Sequence, residues 1–163
     1  MLEQQGGDAF TVVTEYIRAN QTAFYRLAYT YVHNPDIALD VVQDSIVNAL
    51  THLASLRHPE YVKNWFYKIL INECLSYHRK NRRIVLMDTM PEVLQDDWLG
   101  HGDRLDVCKA LDTLEPKLRT IVVLRYFEDM KLTDIAVVTH TNLNTVKSRL
   151  YKALDQLKAE LGD

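Results

Sequence analysis

Leu132-Thr-Asp-Ile-Ala136, a short polar break, and Asn144-Thr-Val-Lys-Ser-Arg-Leu150 decide how the last third of this chain folds. Ile135 and Ala136 belong to one short helix. Asn142 is placed to cap a second, in which Val146, Leu150, Ala153, Leu154, Leu157 and Leu161 recur at helical spacing as one apolar stripe. The opposite face carries Asn144, Thr145, Lys147, Ser148, Tyr151 and Lys152, donors and cations with little else. Two helices, a tight turn and a polar, basic second helix describe a helix-turn-helix suited to a DNA major groove. The same residues also fit a helical hairpin whose outer face is merely solvated.

Outward from this motif, the rest of the chain reads as helical too. A length of 163 residues allows one domain or two small ones, and 47% hydrophobic with 25% charged residues is the balance of a globular protein. Apolar runs such as Ile69-Leu-Ile71 and Ile121-Val-Val-Leu124 are too short to cross a bilayer, so no direct membrane insertion is expected. Met1–Asp8 has neither a basic nor an apolar leader region, which makes the cytoplasm the default location. Cys74 and Cys108 lie in apolar helical patterns without CxxC pairing and read as reduced core residues. The histidines show no HxxxH or HExxH spacing, and no glycine-rich phosphate loop appears; neither metal, cofactor nor catalysis is expected.

The expected helices before residue 84 are three. The first runs from about Asp8 to Val32; the second is opened by Asn34-Pro35, an N-cap followed by a proline at the first helical position. That second helix turns Ile37, Ala38, Val41, Val42, Ile46, Ala49, Leu50 and Leu53 inward until His58-Pro59 breaks the pattern. A third, from about Glu60 to Lys80, buries Val62, Trp65, Phe66, Ile69 and Leu70. Residues 84–104 lose the period and gather Asp, Gly and a proline, as a linker does. A helix over Leu105–Leu114 and one from Pro116 to about Phe127 then lead into the helix-turn-helix. The fold class expected is all-α: a domain over 8–83, an acidic linker over 84–104, and a helix-turn-helix domain over 105–161.

A net charge of −3 is unpromising for nucleic acid until it is mapped. Lys63, Lys68, Arg79, Lys80, Arg82 and Arg83 stand against Glu73 alone, whereas Asp88, Glu92, Asp96, Asp97, Asp103 and Asp106 stand against Arg104. Charge is segregated by segment, and a local basic face matters more for phosphate contact than the sum.

Asp36-Ile-Ala-Leu-Asp-Val-Val-Gln-Asp-Ser45, Asn64-Trp-Phe-Tyr-Lys-Ile69, Tyr77-His-Arg-Lys-Asn-Arg-Arg83, Leu114-Glu-Pro-Lys-Leu-Arg119 and Thr145-Val-Lys-Ser-Arg-Leu150 follow in the order of a known family. From about Phe24 to Leu157 the chain resembles an extracytoplasmic-function (ECF) sigma factor, the small bacterial initiation factor that keeps only the second and fourth sigma regions. Phe66-Tyr-Lys-Ile69 and Leu143-Asn-Thr-Val146 look most like the sigma-V-like branch of Gram-positive bacteria.

The resemblance implies a role for each motif. Asp40, Gln43 and Asp44 match the residues that dock on the β′ clamp helices of core RNA polymerase. The sequence supports this separately, because like charges at i, i+4 cost a helix a few tenths of a kcal/mol and a basic partner would offset that. The third helix matches the segment that reads the −10 promoter element, with Lys63, Asn64, Lys68, Asn72 and Tyr77 towards bases and Arg79, Lys80, Arg82 and Arg83 as a phosphate track. Lys68 also reads as an ordinary surface cation, and Trp65 as structural. The loop Arg57-His-Pro-Glu-Tyr61 corresponds to the family loop that holds a flipped base. In the C-terminal domain, which matches the −35 reader, Asn144, Thr145, Lys147 and Ser148 are placed for bases, and Arg149 and Lys152 for phosphates. Arg149 alternatively pairs with an acid of its own domain. The linker would thread near the polymerase active-site channel, and the β flap, promoter DNA and a membrane-bound anti-sigma factor complete the implied partners.

One departure stands at the turn. The family has Leu-Gly-Ile where this chain has Thr139-His-Thr141, and a left-handed φ that glycine accepts freely strains histidine. A stand-alone helix-turn-helix regulator without polymerase docking, or a protein-binding helical module, are the alternatives these residues leave.

Overall fold

The computed structural model describes the backbone of residues 2–80 and 109–162, and the side chains of 8–77 and 109–162. Every regular element described is helical, and the chain divides into two compact units, Met1–Val85 and Leu86–Asp163.

In the first unit, α1 (Leu2–Ala19), α2 (Gln21–Val32), α3 (Pro35–Thr51) and α4 (Val62–Lys80) enclose one core, with single 3₁₀ turns at Leu53–Ser55 and Pro59–Tyr61. The expected single helix over 8–32 is two helices. Asn20 divides them: its Nδ2 donates to the Tyr16 carbonyl at 2.8 Å and its backbone N–H to the Ile17 carbonyl at 3.2 Å, with φ −123°. A side-chain amide competing for backbone carbonyls in this way breaks a helix without proline or glycine. Asn34 and Pro35 open α3 as their types predict, the Asn34 Oδ1 accepting from the Ile37 N–H at 3.1 Å.

The core of this unit is aromatic. Phe24 from α2 is fully buried, its ring centroid 4.4 Å from that of Phe66 and 5.5 Å from that of Tyr67, both from α4. Burying one such ring contributes about 1.5–3 kcal/mol, so this cluster fixes how α2 crosses α4. Val13 and Ile17 of α1, and Ala38, Val41 and Ala49 of α3, are buried as well. Cys74 is a free, buried thiol whose pKa is raised, chiefly by that burial; Cys108 lies outside the described residues.

In the second unit, a helical segment at 109–112 leads through a turn into α5 (Pro116–Val122), which widens into a π-turn over Val123–Phe127. Then come α6 (Leu132–Val138) and α7 (Leu143–Glu160). Leu111, Leu118, Ile121, Leu124, Met130, Ile135, Val138, Val146, Ala153 and Leu157 form its core. Val146, Leu150, Ala153 and Leu157 of the α7 stripe are buried as its spacing predicts; Leu154 is half-buried, and Leu161, past the last turn, is exposed.

Arg119 is a buried cation within this core, only 5% exposed. Its Nε donates to the Leu111 carbonyl at 3.1 Å, and its Nη2 to the carbonyls of Asp112 and Leu114 at 3.2 and 3.0 Å. It therefore donates to the carbonyls where the 109–112 segment ends, sharing that of Leu111 with the Leu114 N–H at 3.1 Å, as a helix C-cap does.

Candidate nucleic-acid interface

The outer face of α3 is built by what the core leaves behind. With Ala38, Val41, Val42, Ser45 and Ala49 packed inward, Leu39, Asp40, Gln43, Asp44 and Val47 point to solvent. Asp40 and Asp44 stand one turn apart, and Gln43 shares their face. Leu39 and Val47, 48% and 63% exposed, bracket them with apolar surface. Apolar groups framing a small charged centre suit a protein partner better than open water. Sequence reasoning missed Leu39 and Val47, although their spacing from Gln43 at i−4 and i+4 puts them on that face.

The α4 residues do not all share one surface. Asn64, Lys68 and Asn72 recur at i, i+4 and i+8, opposite the fully packed Phe66, Leu70 and Cys74. Lys63 falls in the column of Phe66, Tyr67 and Leu70 and is half-buried; Tyr77 follows Leu70 and Cys74 and is half-buried as well. Of the phosphate track, the side chains of Arg79 and Lys80 and the whole of Arg82 and Arg83 lie outside the described residues.

Trp65 is half-buried, whereas its stripe predicts a core residue. Its indole Nε1 donates to the Ser55 Oγ at 2.9 Å, and that hydroxyl donates in turn to the His52 carbonyl at 2.7 Å. An indole N–H needs a polar partner when it leaves solvent, and the 3₁₀ turn at the end of α3 supplies one. The loop of residues 52–61 is thereby tied to the outer side of α4.

In the helix-turn-helix, α6 ends with the Thr141 N–H on the Ala136 carbonyl at 2.9 Å and the His140 N–H on the Val137 carbonyl at 3.3 Å. This paired closure is a Schellman motif, with His140 at φ 55° in the position usually held by glycine. The turn is thus retained, and strained, rather than rebuilt. Asn142 caps α7, its Oδ1 accepting from the Thr145 N–H at 2.8 Å. Asn144, Lys147, Ser148, Tyr151 and Lys152 then fall at i, i+3, i+4, i+7 and i+8, all exposed. Thr145 and Arg149, one position on, are half-buried on the flank. Tyr151, 67% exposed, extends that face by a phenol that can meet a phosphate or a thymine methyl. Among the described residues, no helix is long and apolar enough to cross a membrane.

Residues 16–84 match the model for sigma-70 region 2, and residues 104–157 that for sigma-70 region 4. The chain is 46% identical over 139 residues to the RNA polymerase sigma factor SigV of Bacillus subtilis, covering 85% of this chain and 84% of that one. It is 30% identical over 149 residues to the RNA polymerase sigma-E factor of Streptomyces coelicolor, covering 90% and 84%. Among solved structures it resembles the sigma factor RpoE of Bartonella quintana, seen in complex with the anti-sigma factor NepR. There the TM-score is 0.76 at 25% identity, over 91% of this chain and 95% of that one.

Proposed function

This chain belongs to the ECF sigma factors, and from that premise we propose a division of labour between its two units. As a member it is a transcription initiation factor that binds core RNA polymerase and directs it to stress-responsive promoters through their −10 and −35 elements. The first unit, taken as residues 8–83, docks on polymerase and captures the −10 element; the second, 105–161, holds the −35 duplex; the acidic segment 84–104 joins them. The chain has no catalysis of its own and works in the cytoplasm, where polymerase and promoter DNA are.

The observation that carries this reading is the outer face of α3. Asp40, Gln43 and Asp44, framed by Leu39 and Val47, form an exposed acidic and apolar face on a helix whose other side is core. We assign this face to the β′ clamp helices. The Asn64, Lys68 and Asn72 line of α4, with the loop before it, takes unstacked bases of the non-template strand. Lys63, Tyr77 and the cations Arg79, Lys80, Arg82 and Arg83 serve the backbone around them. On α7, Asn144, Thr145, Lys147, Ser148 and Tyr151 read the major groove while Arg149 and Lys152 hold phosphates. Melting is driven by binding: captured bases offset part of the unstacking cost.

The β flap docks on the second unit, where Tyr126 and Phe127 of the π-turn are exposed. A membrane-bound anti-sigma factor would hold the protein inactive by covering the α3 and DNA-binding faces. The structural relative from Bartonella quintana, solved with an anti-sigma factor, supports that class of partner.

Co-purification with core polymerase tests the docking assignment. Asp40→Lys with Asp44→Lys should weaken association on the order of 10- to 100-fold, as loss and reversal of paired interface charges does. Lys147→Glu with Lys152→Glu should leave it intact. Equal retention of both variants would remove the α3 face from the interface.

A further inference from the structure

We propose that Asn48 of α3 is a positioning residue for strand capture. Its amide holds the Glu73 carboxylate against α3 and so keeps the sole acid of α4 off the path of the non-template strand. The inference rests on the reading of α4 as the helix that takes that strand.

Glu73 is out of place by charge. α4 carries Lys63, Lys68, Arg79 and Lys80, and no acid besides Glu73. By helical position Glu73 directly follows Asn72, and Tyr77 and Lys80 stand at i+4 and i+7 from it. It therefore lies between the end of the Asn64, Lys68 and Asn72 line and the groups assigned to the strand's backbone. A carboxylate free to swing there would come within a Debye length, about 10 Å at 0.1 M salt, of a phosphate met by Tyr77 one turn on, and would repel it.

The structure holds the carboxylate elsewhere. The Asn48 Nδ2 donates to the Glu73 Oε1 at 3.3 Å, from a residue 25 positions away in sequence. Both side chains are half-buried. Among the described residues Glu73 is in no ion pair, so a neutral donor sets its position and leaves its charge in place. Asn48 continues the column of Asp40 and Asp44 along α3, and of these three side chains only the amide can donate. A carboxylate at this position would push Glu73 towards the strand; the amide draws it to α3. The reach of that amide is fixed by its backbone, since the Asn48 carbonyl accepts the His52 N–H at 3.0 Å and closes the last turn of α3.

The experiment uses holoenzyme, this chain with core polymerase purified as a complex, and a single-stranded oligonucleotide carrying the non-template −10 region of a promoter it transcribes. Affinity is measured over a range of salt for wild type, Asn48→Ala, Glu73→Gln and the double variant. Asn48→Ala should bind about 3- to 5-fold more weakly at low salt, with a slope of log affinity against log salt shallower by about 0.7, because the freed charge cancels one cation on a single strand. The loss should fade as salt rises. Glu73→Gln keeps the acceptor oxygen and loses the charge, so it should bind as wild type does. The double variant should do the same, because no charge is left to hold. Alanine favours a helix more than asparagine does, and an unchanged melting temperature excludes misfolding. Asn48→Asp, which repels Glu73 at nearly constant size, should reproduce the loss.

A double variant as weak as Asn48→Ala, with a loss indifferent to salt, would show that the bond serves packing alone and overturn the proposal. Wild-type strand affinity in Asn48→Ala would overturn it too, with strand capture by α4 left standing. Strand affinity unmoved by Asn64→Ala with Lys68→Ala would overturn the reading of α4 itself.

Discussion

The Trp65 indole N–H and the Ser55 hydroxyl meet at 2.9 Å across ten residues of chain, and the same hydroxyl donates onward to the His52 carbonyl. This relay joins the end of α3 to the outer side of α4 and so sets the loop between the two helices.

Ser55→Ala removes the acceptor and leaves the half-buried indole N–H without it. The expected loss is about 0.5–1.5 kcal/mol of stability, since water can partly replace the bond. Thermal unfolding of the variant checks this. If the loop borders the −10 strand, open-complex formation should fall further than stability does, and Ser55→Thr should recover both.

Arg119 should be far less tolerant. Truncation to Ala removes three hydrogen bonds of a charged group that is only 5% exposed, while the Leu111 carbonyl keeps the Leu114 N–H, for an expected loss of about 1.5–3 kcal/mol. Arg119→Lys should recover only part of it, because an ammonium cannot reproduce the guanidinium fork. Urea unfolding followed by hydrogen exchange should show protection falling in the second unit and unchanged in α2–α4.

His140→Gly should stabilise the second unit by about 0.5–1 kcal/mol, since glycine adopts φ 55° without the strain a Cβ brings. The check is a rise in the unfolding midpoint, with −35 binding unchanged. A fall in −35 affinity instead would show His140 in contact with DNA.

Much of this architecture was legible in the sequence where a single period governed a whole element. The α7 stripe, the Asn34-Pro35 start of α3 and the Asn142 cap follow from spacing and residue type. What the periodicity hid were local competitions between polar groups. Asn20 ends α1 by taking carbonyls that a helix would use, without proline or glycine to mark the break. The π-turn at Val123–Phe127 is invisible because its residues, Val-Leu-Arg-Tyr-Phe, suit an ordinary helix. Its extra width shows in the i→i+5 closure of the Glu128 N–H on the Val123 carbonyl at 3.1 Å. Nothing in the Leu114–Arg119 motif marks Arg119 as a buried cation; its carbonyl partners do. At the candidate site, residue type pointed to Lys63 and Lys68 alike. Only helical position separates them, setting Lys68 in line with Asn64 and Asn72 and Lys63 in the column of Phe66 and Leu70, with both half-buried.

Arg149 and Lys152 bear on the salt dependence of promoter binding. If each neutralises a phosphate, Arg149→Ala and Lys152→Ala should each lower the slope of log affinity against log salt by about 0.9. Affinity should drop across all promoter sequences alike. If Asn144 meets a base edge, Asn144→Ala should instead change preference at one −35 position and leave the slope unaltered.

The most direct test of the central claim is run-off transcription with core RNA polymerase from a Gram-positive bacterium, on the DNA upstream of this protein's own coding sequence. Wild-type protein should yield a discrete transcript, absent without it. Asp40→Lys with Asp44→Lys should abolish the transcript while leaving the fold intact. A wild-type protein that neither yields a transcript nor co-purifies with polymerase would contradict the account and leave a DNA-binding regulator that acts alone.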